Sequence, residues 1–228
     1  MSVKIYEIGE GLCNELLGRP IKKYEYVIES KSGEELRAWV QKVGEALISE
    51  TPSGKCVSIR MGENWVDFGV CEDIQVEIQS RDFTIHGLAR ECELTEQPNI
   101  SEHQHPTLQP KENAKILDYV GGVKDLTRKR IRTIGFVGTR FHNNPLRLLK
   151  ALRVSLELNF EMHPDVVWYA DNQSFLDLLL DIQYLTGIQF ELERCLQLDI
   201  IKTITFLHNH SYLFGKLMNM ITFECKQK

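Results

Sequence analysis

Apolar and polar positions alternate most clearly near the start of the chain. Ile5 and Ile8 open an apolar strand, and Gly9 and Gly11 follow it as a turn. Leu12, Leu16 and Leu17 then recur at helical spacing, with Gly18 closing the helix and Pro20 blocking its continuation. Tyr24, Tyr26 and Ile28 alternate with Glu25 and Val27, which predicts a second strand. A glycine turn between a strand and a helix N-terminus is a natural phosphate cradle, and acids on the following strand are natural metal ligands.

Further along, Ser32 with Glu35 reads as a capping box for a helix whose apolar face runs from Leu36 through Trp39, Val40 and Val43 to about Ile48. Residues 56–60 and 64–70 read as two strands joined at Met61-Gly62. Ile74, Val76 and Ile78 fit either a continued strand or a short helix, and Arg81 to Ala89 reads as the start of a buried helix. Cys92 to Asn113 is polar, holds Pro98, Pro106 and Pro110, and is expected to be a surface loop; His103 and His105 within it lack further ligands. Ile116 to Tyr119 is a short strand followed by the Gly121-Gly122 turn. From Asn144 the pattern is helical: Asn144 suits an N-cap with Pro145 at the first helical position, and two more helices are expected over 164–180 and 185–207. The fold class is α+β, with a mixed head over residues 1–137 and a helical neck over 138–228.

With 228 residues, 43% of them hydrophobic, the chain is long enough for one large domain or two small ones. A net charge of -5 argues against a broad polyanion-binding surface but leaves room for a local basic groove. The basic set is Arg128, Lys129, Arg130, Arg132, Arg140, Arg147, Lys150 and Arg153. Arg147, Lys150 and Arg153 have an alternative use, pairing internally with acids of the helical half. The six cysteines include no C-x-x-C pair and read as reduced thiols. No membrane-length apolar run and no leader peptide is read, so a cytoplasmic protein is expected. The apolar residues Leu213, Phe214, Leu217, Met218, Met220 and Ile221 suggest either a protein interface or a helix folded back on the neck.

Four ordered motifs resemble the head and neck of the class II tRNA nucleotidyltransferases (CCA-adding enzymes) and bacterial poly(A) polymerases. The first is Ile5-Tyr6 with Leu16-Leu17-Gly18-Arg19-Pro20-Ile21-Lys22; the second is Trp65-Val66-Asp67. The third is Arg81-Asp82-Phe83-Thr84-Ile85-His86-Gly87-Leu88-Ala89, against R-D-F-T-I-N-A-L-A. The fourth is Leu117-Asp118-Tyr119-Val120-Gly121-Gly122, and Asn143-Asn144-Pro145-Leu146-Arg147 follows, where the family has E-D-P-L-R. Gln189-Phe190-Glu191-Leu192 with Leu196 resembles the neck helices.

The resemblance implies metal-dependent nucleotidyl transfer, in which paired carboxylates hold two divalent ions. It maps the carboxylates onto Glu25 and Asp67. It maps nucleotide or RNA contacts onto Gly9, Gly11, Arg81, Asp82, Asn144, Arg147, Lys150 and Arg153. Several chemical positions depart from the family. Glu10, Cys13 and Asn14 replace a glycine, an arginine and an aspartate, and Lys23 stands at a metal-ligand position. A unit charge ~4 Å from a divalent ion, at an effective dielectric near 20, opposes it by about 8 kcal/mol. Lys23 is therefore expected to replace the lost cation and to pair with Glu25 and Asp67. The expected protein is a catalytically inactive relative kept as an RNA-binding or scaffold subunit, with RNA (tRNA among the candidates) or a catalytic relative as partner and no cofactor. Two alternatives stay open: an altered transferase adding CMP or AMP with Mg²⁺ through Glu25 and Asp67, and a purely structural subunit.

Overall fold

The structure, a computed structural model, describes residues 4–30, 36, 47–50, 56–61, 64–94, 108–179 and 181–217. The chain divides into two compact units, Met1–Leu126 and Thr127–Lys228.

In the first unit, the opening pattern folds as the alternation predicts. Strand β1 is Lys4–Ile8, helix α1 is Gly9–Leu16, and strand β2 is Lys23–Glu29. Gly9 has φ +78, in the region that favours glycine, and turns the chain directly from β1 into α1. Gly11 therefore lies inside the helix, not in a turn before it. Its role is close approach: a Cβ added there would sit 2.7 Å from the Lys23 carbonyl oxygen. Gly18, at φ +65, follows the helix end as expected of a C-terminal glycine.

Strands β3 (Leu47–Glu50), β4 (Cys56–Met61) and β5 (Asn64–Cys71) extend the sheet on the β2 side. The capping box and most of the helix expected to run to Ile48 lie outside the described residues; its expected end, Leu47 and Ile48, is strand. Helix α2 (Ile74–Ser80) settles the open choice at that segment. A strand would place Ile74, Val76 and Ile78 on one face, but Ile74 and Ile78 are buried while Val76 is 63% exposed. Asp73 caps the helix, its Oδ1 accepting from the Gln75 backbone N–H at 2.6 Å.

The buried helix expected from Arg81 is instead a single 3₁₀ turn, Thr84–His86, followed by strand β6 (Ala89–Leu94). The polar stretch expected to be loop contributes two strands. Leu94 on β6 pairs with Leu108 on β7 (Leu108–Pro110), and both Cys92 and Leu108 are buried. His103 and His105 lie outside the described residues. Strand β8 (Ile116–Leu117) also pairs with β6. The strand order is β3-β4-β5-β2-β1-β6-β7, and β2 and β5 run parallel while the other pairs are antiparallel.

One sheet face buries Ile5, Tyr26, Ile28, Ile59 and Phe68. The other packs Tyr6, Ile8 and Val27 against Ile74 and Ile78 of α2. Glu7 is buried on the first face, where the Arg90 Nη2 contacts its carboxylate at 2.5 Å and the Glu15 carboxylate on α1 at 2.6 Å. Burial raises the Glu7 pKa above its ordinary 4.5, and Arg90 only partly offsets this. After β8, helix α3 (Gly122–Thr127) is capped by Asp118, whose carboxylate accepts from the backbone N–H groups of Val120, Gly121, Gly122 and Val123.

Among its described residues the second unit is helical apart from one short parallel pair, β9 (Arg130–Ile131) with β10 (Glu161–Met162). That pairing ties the basic segment after Thr127 to the helices, ahead of the division expected at residues 137 and 138. Helix α4 is Val137–Asn143 and α5 is Arg147–Leu158. Asn144 accepts from the Leu146 N–H at 3.2 Å, so the helix begins after Pro145 and Leu146, not at them. The helix expected over 164–180 is broken into α6 (Pro164–Trp168), a 3₁₀ turn at Tyr169–Asp171 and α7 (Gln173–Leu179). Asp199 divides the next one into α8 (Leu185–Leu198) and α9 (Ile200–Asn209), its side chain accepting from the Lys202 N–H. Residues 211–217 are helical, and Leu213 and Leu217 are buried.

Two outcomes are expected. Gly11→Ala pushes a methyl group into the Lys23 carbonyl and lowers stability by about 1–3 kcal/mol in denaturant titration; wild-type stability would show that α1 does not lie so close to β2. Because folded Glu7 holds its proton more tightly than the unfolded chain does, its contribution is full below pH 4.5 and is lost as pH rises through the raised folded value. Wild type therefore gains stability relative to the non-titrating Glu7→Gln as pH falls from 7 towards 4.5; parallel pH profiles would contradict this.

Candidate functional site

The parallel pairing of β2 with β5 places Glu25 directly opposite Asp67. Side chains in register on neighbouring strands point to the same face, so the two carboxylates stand side by side. Ser58 on β4 is in register with Asp67 and donates its hydroxyl to Oδ1 at 2.6 Å. The two predicted carboxylates are thus brought together.

Each is answered by a cation of the chain itself. Lys23 Nζ lies 2.6 Å from Asp67 Oδ2. Arg81, at the C-terminal end of α2, places Nη1 2.6 Å from Glu25 Oε2 and Nη2 2.9 Å from Glu77, four residues earlier on the helix. Lys23 was expected to pair with both acids; its contact is with Asp67, and Glu25 goes to Arg81. Burial pulls the Lys23 ammonium pKa down, but the hydrogen bond to Asp67 and the charges of Glu25, Asp67 and Glu10 outweigh it and raise the value above the lysine norm. Lys23 is therefore a full cation at neutral pH. Burial likewise opposes the Arg81 charge, and Glu25 and Glu77 more than restore it.

The same carboxylate packs against the glycine turn. A Cβ added at Gly9 would lie 2.8 Å from Glu25 Oε2, so the chain's own anion packs against the turn. Cys13 on α1 is buried in the core. A cleft of about 310 Å³ opens over this face, lined by Glu25, Asp67, Glu77, Arg81, Cys56 and Val27 among others. Burial pushes the Cys56 thiol above its ordinary pKa of 9.0, so it is no thiolate nucleophile at neutral pH.

A pair of divalent ions needs carboxylate oxygens that face metal rather than ammonium, guanidinium or hydroxyl donors. Glu25 and Asp67, held as they are, do not fit that requirement. Among the described residues, no group of three or more His, Cys, Asp or Glu side chains is placed to hold a metal ion.

The remaining predicted residues divide between the units. Asp82 follows Arg81 and is half-buried. In the second unit, Asn144 accepts from the Leu146 N–H, and Arg147 Nη1 donates to the Arg140 carbonyl at 2.7 Å. Lys150 is half-buried on α5. Arg153 is only 4% exposed and pairs with Glu191 at 2.7 Å and Glu157 at 3.1 Å, so it braces α5 against α8. Sequence reading did not foresee the Arg81 pairs. The signal was the four-residue spacing from Glu77 to Arg81, which becomes informative once residues 74–80 are read as a helix.

This architecture, a mixed sheet bearing paired acids followed by a helical region, is that of the nucleotidyltransferase head and neck. It superposes on a tRNA-processing enzyme in its apo form with a TM-score of 0.68, over 94% of this chain and 53% of that one, at 20% identity. The Bacillus stearothermophilus CCA-adding enzyme in complex with CTP matches with a TM-score of 0.66 at 21% identity, over 90% of this chain and 48% of that one. The Thermotoga maritima CCA-adding enzyme complexed with tRNA also gives 0.66, at 20% identity over 92% of this chain and 47% of that one. In sequence, the CCA-adding enzyme of Staphylococcus epidermidis is 22% identical over 235 residues, covering 97% of this chain and 50% of the relative. No family model matches the chain. The chain is similar over most of its length to class II CCA-adding enzymes and spans about half the length of that relative. Among the described residues, no helix is long and apolar enough to cross a membrane.

The two ion pairs differ in burial, and that sets their energetic rank. The Lys23 side chain is 43% exposed, so Lys23→Ala costs about 0–1 kcal/mol. Arg81→Ala leaves two half-buried carboxylates unanswered and costs about 2–3 kcal/mol, less than the ~3–5 kcal/mol of a fully buried pair. Urea denaturation of both variants checks this order; equal losses would contradict it.

Proposed function

We propose that this chain is a tRNA nucleotidyltransferase-like protein that has given up metal-dependent nucleotide addition and keeps its fold as a cytoplasmic RNA-binding or scaffold module. The observation that carries the reading is the Lys23–Asp67 contact at 2.6 Å beside the Arg81–Glu25 contact at 2.6 Å. Lys23, at a position where the resemblance expects a metal ligand, puts its ammonium on Asp67, and its charge opposes metal entry. Glu10, in place of a family glycine, adds a negative charge near the turn where a triphosphate would approach. RNA, tRNA included, is the favoured partner, because relatives of this fold are complexed with tRNA and the second unit carries the chain's basic segment. A catalytic relative that supplies the chemistry is the other partner this reading admits.

The test incubates the pure protein with labelled CTP or ATP, tRNA or oligoadenylate, and Mg²⁺ or Mn²⁺. No incorporation is expected, while RNA binding measured in parallel weakens steeply with salt, as counterion release requires. Incorporation that Asp67→Ala abolishes would replace this reading with that of an active, altered transferase. Absence of RNA binding at low salt would leave only the scaffold role.

A further inference from the structure

Between Asp125 and Glu157 the chain carries no carboxylate side chain but eight lysines and arginines, against a whole-chain net charge of -5. Arg153, one of the eight, is spent on Glu157 and Glu191. Phe136 lies in the middle of this stretch, and its ring is 76% exposed, more than any other large apolar side chain among the described residues.

That ring has a defined seat. It lies over Gly138, where an added Cβ would sit 2.6 Å from the Phe136 Cε1 and 2.6 Å from the Tyr169 hydroxyl oxygen. The Phe136 ring edge and the Tyr169 hydroxyl thus both close over a residue with no side chain. Tyr169 is fixed from behind by Phe141 and Phe175, with ring centroids 5.2 Å away in each case. On its other side stands Trp168, 59% exposed, edge to face at 5.0 Å. Arg140, one helical turn after Phe136, donates its Nε to the Ile134 carbonyl at 2.8 Å, which holds its guanidinium beside the loop that presents the ring.

We propose that Phe136, Tyr169 and Trp168 form a stacking platform for unpaired RNA bases, with Arg140 beside it to take a backbone phosphate. The proposal rests on the RNA reading above and names residues other than Asn144 and Arg147, although Arg147 donates to the Arg140 carbonyl beside them. An exposed aromatic residue in a cationic stretch, as Phe136 is, has the chemistry of single-strand binding, since an unpaired base offers its face and each nucleotide adds a negative charge; Trp168 and Tyr169 stand between Asp165 and Asp171, so the cations of the site come from the Phe136 side. A protein partner would also cover aromatic rings, but the run of cations without an acid favours a polyanion.

The test is fluorescence anisotropy with a labelled short single-stranded oligoadenylate and a strand of equal length that is abasic at its centre. Wild type binds the intact strand about tenfold tighter or more. Phe136→Ala removes about that advantage and leaves the slope of log affinity against log salt unchanged, because no cation is lost; Phe136→Tyr restores it. Arg140→Gln lowers the slope by about one. Circular dichroism and melting confirm that each variant is folded. If wild type binds the strand and folded Phe136→Ala binds it equally well, the platform is wrong and the RNA reading stands. If wild type binds neither strand, the RNA reading fails and the platform with it. If Phe136→Ala leaves RNA affinity intact but changes the mass seen by light scattering, the ring is a protein contact and the proposal is overturned.

Discussion

Two carboxylates on adjacent strands of a parallel pair repel each other, and the register of β2 against β5 leaves Glu25 and Asp67 no way to separate. At the ~5 Å spacing of neighbouring strands and an effective dielectric near 20, that repulsion is about 3 kcal/mol. Something positive must stand there. The chain's own Lys23 and Arg81 supply that charge, Lys23 at Asp67 and Arg81 at Glu25. The consequence is structural as well as chemical. Arg81 ties α2 to β2 through Glu25 and Glu77, Ser58 ties β4 to Asp67, and Gly9 lets α1 start against the same carboxylate. Charge compensation and packing share the same atoms.

Much of this was legible in the sequence where the signal is local. The alternation of β2, the Gly9 turn and the Gly18 cap are each decided by a few neighbouring residues, and each folded as its pattern implied. The Lys23–Asp67 contact was legible because charge alone demands it once both positions share a face. The partner of Glu25 was not, since Arg81 lies 56 residues away and its direction depends on whether residues 74–80 coil or extend. The 3₁₀ turn at Thr84–His86 was misread as a helix because Phe83, Ile85 and Leu88 are buried for tertiary reasons and mimic helical spacing. The β6–β7 pair was hidden for the opposite reason: prolines and polar residues read as loop, although Cys92 and Leu108 are both buried there.

The second unit separates cations that sequence reading grouped together. Arg153 faces inward and braces two helices, which bears out the internal-pairing alternative for that residue. Arg140 and Arg147 donate to backbone carbonyls around α4, where a guanidinium keeps its charge while its position is fixed. The exposure of Phe136 needed coordinates, because an isolated apolar residue between a glycine and a valine reads equally well as core.

The central claim is that Lys23 has taken the place of a divalent ion at Asp67. Crystals soaked with Mn²⁺ and CTP or ATP test it most directly, since manganese scatters anomalously and marks its own position. The account predicts no anomalous peak beside Glu25 and Asp67, with Lys23 still on Asp67. A manganese peak bridging the two carboxylates, with Lys23 displaced, would contradict it.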